Sequence, residues 1–152
     1  VQTCALPIYM YIDEATYMAK LESVREKIEI YAGTQALILR FPYGTNNILT
    51  NETNPGLMTR IVASIRAKGY KYVDWNVDSG DIDIDLSAEQ IAKNVLDGAK
   101  GNDIICVRLH DTEDNHNTIE ALPYILEGLK NEGYKFKPIN RHSTNFQFPI
   151  LN

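Results

Sequence analysis

A fold of the α/β class, with parallel strands alternating with helices as in an open sheet or a partial (β/α) barrel, is what this sequence of 152 residues predicts. Three observations carry the prediction. Apolar residues recur at spacings of three and four in four separate stretches; a strand-length apolar run follows each stretch; and polar and charged residues collect just after the runs end. With 44% hydrophobic and 23% charged residues, the whole of 1–152 reads as a single domain able to bury a core without disulfides.

The opening VQTCALPIYMYI is apolar and could supply a strand. From Asp13, an N-cap residue type, the residues Tyr17, Leu21, Val24, Ile28 and Tyr31 share one face of a helix that Gly33 ends. ALILRF at 36–41 is a strand and PYGTNN a turn; the segment from Ile48 to Gly56 has no periodicity and reads as a surface loop. Asn54-Pro55 opens a second helix, with Leu57, Ile61 and Ile65 inward and Lys68-Gly69 at its end. KYVDW is the next strand and DSGDIDIDL an exposed acidic loop with Ile82, Ile84 and Leu86 on its one buried side. Ser87 and Gln90 form a capping box for a helix carrying Ile91, Val95 and Leu96, stopped by Gly98 and Gly101. DIICVRLHD is a strand, Thr118 to Glu132 a helix with Ile119, Leu122, Ile125, Leu126 and Leu129 inward, and YKFKP a last short strand.

The net charge of −5 argues against a protein that binds nucleic acid by neutralising its backbone. No apolar run is long enough for a transmembrane segment. Cys4 and Cys106 both lie in apolar surroundings and read as two buried thiols. In a parallel sheet chemistry gathers at the carboxyl ends of strands, so Arg40, Asp74, Trp75, His110 and Asp111 are expected to converge there. His110 is the strongest of these, because a histidine that ends an apolar strand lands on the sheet rim.

Arg40-Phe41-Pro42-Tyr43-Gly44, then Asp74-Trp75, then Leu109-His110-Asp111 resemble, in order and separation, the RxPYG, DW and HD motifs of the NodB-type polysaccharide deacetylases. The resemblance spans residues 12–138 and implies the carboxyl-terminal part of a distorted (β/α) barrel. It also implies a hydrolase that removes N-acetyl groups from chitin-like or peptidoglycan-like amino-sugar polysaccharides, and an extracellular or cell-envelope location for the parent protein. The family holds a divalent metal, zinc or similar, through an Asp and two His. Carried over, Arg40 orients the general base and Tyr43 lends its backbone N–H to the oxyanion. Asp74 tunes His110, and His110 protonates the leaving amine. Trp75, Leu109 and Arg108 line the substrate pocket.

Two departures stand against a complete site. The family's paired aspartates and HxxxH motif have no counterpart here, since the three histidines all lie at or after position 110. The resemblance therefore implies a truncated catalytic domain that holds no metal or cofactor and is inactive by itself; the alternative is a non-catalytic carbohydrate-binding remnant or a self-associating module. Secondly, Arg108 sits two residues from His110 on one strand face, where its guanidinium opposes a general-acid role unless it turns to Asp74 or Asp78.

The cluster His110, Asp111, Asp114 and His116 could ligate a metal but lacks helix-face spacing, and the loop of Asp78, Asp81, Asp83 and Asp85 lacks the glycine and glutamate of an EF-hand. Phe146, Phe148 and Ile150 read as anchors for the tail. A truncated barrel leaves an open edge, so a second copy of the chain is the expected partner, through residues 1–12 or the strand at 36–41.

Overall fold

A computed structural model describes residues 7–151, which divide into two compact units. The first is built from the chain up to Asp74 together with 140–151, and the second is the continuous stretch Trp75–Ile139. Cys4 lies outside the described residues.

Residues 1–6 of the expected opening strand lie outside the described residues; its described part begins with a single 3-10 turn, Pro7–Met10. Helix α1, Glu14–Ala32, starts where Asp13 accepts a hydrogen bond from Thr16 N–H and ends at left-handed Gly33. Its inward face holds only at the start. Tyr17 is buried, Leu21, Val24 and Ile28 are half-buried, and Tyr31, expected inward, is 85% exposed. The run at 36–41 shortens to β1, Ile38–Leu39, which pairs in parallel with β2, Lys71–Tyr72, in the register Ile38 to Lys71. Between them, the presumed loop contains a short helix, α2, Ile48–Thr53, because Asn47 caps it by accepting from Thr50 N–H. Helix α3, Leu57–Ala67, buries Leu57, Ile61 and Ile65 completely. These meet the ring stack of Tyr11, Tyr17, Phe41 and Tyr72, with centroids 5.3–5.6 Å apart, to form one core.

The second unit has its own parallel pair, β3, Val77–Asp78, and β4, Val107–Arg108, with Asp78 opposite Arg108. Two helices flank it: α4, Ala88–Ala99, opened by a full Ser87 and Gln90 capping box, and α5, His116–Asn131. Helix α4 runs through Gly98, which packs on Val77 rather than stopping the helix. At Gly128 a Cβ would stand 2.7 Å from Leu96, so this glycine sets how closely α4 and α5 approach. The buried face of α5 is Thr118, Ala121, Ile125 and Leu129, one residue round from the expected face, which leaves Ile119 and Leu126 exposed. No strand forms at 134–138. The Tyr134 hydroxyl there donates instead to the carbonyls of Ala99 and Asn102.

Candidate functional site

In the first unit the turn after β1 carries Arg40 and Tyr43. The Arg40 guanidinium donates to the carbonyls of Val73 and Asp74, both at 3.2 Å, so it clasps the end of β2. Tyr43 has φ of 65°, a left-handed conformation that strains a bulky residue by about 1–3 kcal/mol. Its neighbours impose it: Gly44 N–H donates to Phe41 O, and the Tyr11 hydroxyl donates to Pro42 O at 2.8 Å. Burial pushes the Tyr11 phenol well above its ordinary pKa and so keeps that donor proton in place. The Tyr43 ring is about half exposed.

Asp74 is fully buried, and its oxygens accept from Thr45 N–H at 3.1 Å, the Thr45 hydroxyl at 2.6 Å and Phe148 N–H at 2.8 Å. Its own N–H donates to Phe146 O. The tail thus docks with Phe146, Phe148 and Ile150 turned inward and their neighbours outward. Asp74 ties turn, strand end and tail together.

Within the second unit the carboxylate that holds His110 is Asp81. His110 Nδ1 lies 2.8 Å from Asp81 Oδ1, and His110 N–H donates to Asp81 Oδ2 at 2.7 Å. The Ser79 and Thr118 hydroxyls donate to the same carboxylate, and the Asn115 amide donates to the Asp81 carbonyl. Burial raises the Asp81 pKa, but these hydrogen bonds outweigh it and leave the carboxyl below its ordinary value. A carboxylate only accepts, so Nδ1 carries the proton and Nε2 is the nitrogen left to exchange one.

The acidic loop is therefore inverted relative to its reading as an exposed segment. Gly80, with φ of 76°, turns the chain so that Ser79 and Asp81 are buried, while Ile82 and Ile84 are 60% and 56% exposed. Four hydrogen bonds to one carboxylate outweigh burying two isoleucines. The sequence does hold a trace of this: Thr118 sits on the buried stripe of α5, where a polar residue needs a buried partner.

Arg108 turns to Asp78, at 2.8 Å, and lies over Trp75, 4.5 Å from the ring centroid. The guanidinium takes one face of the ring through a cation–π contact, so Trp75 is no bare stacking platform. Leu109 is half-buried and packs with Val107 against the core of the second unit; Asp111 is exposed. Cys106 is buried at the start of β4. His116 is exposed in the first turn of α5. Among the described residues no group of three or more His, Cys, Asp or Glu gathers to hold a metal, so these side chains do not fit a catalytic divalent ion. No helix among the described residues is long and apolar enough to cross a membrane.

No family model matches the chain. It is 32% identical over 140 residues to a peptidoglycan-N-acetylglucosamine deacetylase of Bacillus cereus, covering 88% of this chain and 46% of that protein. It is 31% identical over 144 residues to a bifunctional xylanase/deacetylase of Pseudobutyrivibrio xylanivorans, covering 90% of this chain and 21% of that protein. The chain thus spans less than half the length of either relative. The crystal structure of the catalytic domain of a peptidoglycan N-acetylglucosamine deacetylase from Eubacterium rectale superposes with a TM-score of 0.89 at 31% identity, over 96% of this chain and 66% of that one.

Proposed function

Since this chain belongs to the NodB-type polysaccharide deacetylase family, we propose that it supplies the leaving-group half of a site that hydrolyses N-acetyl groups on amino-sugar polysaccharides of the cell envelope. The observation that carries this reading is the buried Asp81 holding His110 by its Nδ1 proton. An imidazole so oriented presents Nε2 to the departing amine. In the proposed step His110 starts as an imidazolium, protonated on both ring nitrogens and stabilised by Asp81; as the amide C–N bond breaks, Nε2 gives its proton to the amine nitrogen, the ring is left neutral, and the oxygen of water ends on the acetyl carbon. By the family resemblance, Arg40 and the strained turn at Tyr43 are proposed as orienting and oxyanion elements, and Trp75 and Arg108 as substrate-contacting residues. Activation of water and the divalent ion of the family require residues other than those described, and the chain by itself is proposed to be inactive.

Acetate release from N-acetylglucosamine oligomers is the test, measured on this chain and on a longer product of the source gene that carries an apolar strand ending in two Asp and an HxxxH motif. The longer product should be active, with kcat falling on the order of 10²–10⁴-fold in His110→Ala and KM little changed. Release by 1–152 alone would show that the site is complete. Full activity of the His110→Ala variant would remove the general-acid role. Self-association is also proposed, supported by strand pairs that leave an outer edge on each unit; light scattering at several concentrations measures it.

A further inference from the structure

The first unit carries a depression of about 560 Å³ lined by Arg66 at the end of α3, Lys71 and Tyr72 of β2, and Arg141, His142 and Gln147 of the tail. In a chain of net charge −5, three permanent cations converge here from three separate stretches. Among the described residues none of them has a carboxylate partner. Carboxylates pair instead with Arg25, Lys68, Lys93, Lys100, Arg108 and His110.

Their partners are neutral oxygens. Lys71 donates to the carbonyls of Arg141 and Ser143, Arg141 to the carbonyl of Gly69 at 2.6 Å, and Arg66 to the Tyr72 hydroxyl and Gln147 Oε1, both at 3.2 Å. These bonds fix where the cations stand without cancelling their charge. Fastening a tail by carbonyls asks only for N–H donors, which a glutamine supplies; gathering three like charges costs Coulomb energy that an anion would recover. Each guanidinium has five N–H groups and the ammonium three, so donors remain on all three side chains. Two planar forks and one point charge suit a group with several acceptor oxygens and more than one negative charge.

We propose that this depression is a binding site for a phosphate group, either free or within a phosphodiester polymer. The inference rests on these residues alone and stands whether or not the chain contributes to deacetylation.

The test is an NMR titration of the isotope-labelled chain at constant ionic strength, first with inorganic phosphate and then with poly(glycerol phosphate). Saturable shifts confined to residues 66–72 and 141–147 are expected, and Arg141→Gln and Arg66→Gln should each weaken binding at least about tenfold. Lys71→Gln removes a bond that holds the tail, so the two arginine variants, checked for an unchanged melting temperature, carry the conclusion. A polymer that binds at least about tenfold more tightly per phosphate identifies the phosphodiester as the source, and equal affinities identify free phosphate. Shifts that never saturate, or arginine variants that bind as the parent chain does, would overturn the site.

Discussion

Each unit is organised around one buried aspartate, and the two differ in what donates to it. Asp74 accepts from two backbone N–H groups and a threonine hydroxyl, none of which titrates in the ordinary range. Asp81 accepts from two hydroxyls, a backbone N–H and an imidazole whose side chain is 27% exposed. Both satisfy the same physical demand, since a carboxylate taken out of water needs several donors. The second hands its charge to a group that water or a substrate can reach. A buried carboxylate is thus a pin where backbone and hydroxyl donors hold it and a tuning element where a partner can move a proton.

The largest effect should come from Asp74→Ala, which orphans three donors and should cost about 3–5 kcal/mol in urea unfolding. Hydrogen exchange should place the loss in the first unit, at Ile61 and Ile65, and leave Val95 and Leu129 protected. Equal loss at both sets would show that the units unfold as one body and would break the comparison. Asp81→Asn should cost about 2–3 kcal/mol and change the pH response. The carboxyl is held below its ordinary value when folded. Its contribution is therefore complete above the unfolded pKa of about 4 and is lost as pH falls through the lower folded value. Urea midpoints between pH 7 and 2 should fall less steeply on the acid side in the variant than in the parent chain.

Thr118→Val removes one of the four donors to Asp81 and keeps the volume, so about 1 kcal/mol is expected, localised to the second unit. The smallest effect belongs to Arg108→Met. The Asp78 partner is 43% exposed and the pair partly screened, so the cost should stay under about 1 kcal/mol. Emission from Trp75, the single tryptophan, should shift as the guanidinium leaves its face. An unchanged spectrum would mean that the cation–π contact does not persist in solution.

Helices were the readable part of this chain because their signals are local. Asp13, Ser87 with Gln90, and the stripe Leu57, Ile61, Ile65 each state a boundary or a face within a few residues. Strands were less readable: apolar runs of five or six residues keep only two in a ladder, and YKFKP keeps none. Short α2 escaped because its one mark is the Asn47 cap, with no apolar period behind it. His110 was found from its place after an apolar run. Its partner was missed because alternation of Ile82, Ile84 and Leu86 pointed the wrong side inward. Periodicity registers the burial of carbon, whereas Asp81 is buried by hydrogen bonds from Ser79, His110 and Thr118, two of which lie about thirty or more positions away.

The tail that docks beside Asp74 gives the chain a discontinuous topology: the first unit opens before Trp75 and is completed only after Ile139. On a ribosome, residues up to 74 emerge before Phe146 and Phe148, so Asp74 lacks one of its donors until Phe148 is made. The second unit is one uninterrupted stretch and its contacts can form as it emerges. Synthesis therefore runs opposite to assembly for these two units: the segment up to Asp74 is made before the stretch Trp75–Ile139 but matures after it, once that stretch has been closed as a loop. Prior folding of that stretch shortens the effective loop, so the order of assembly also eases the closure it delays.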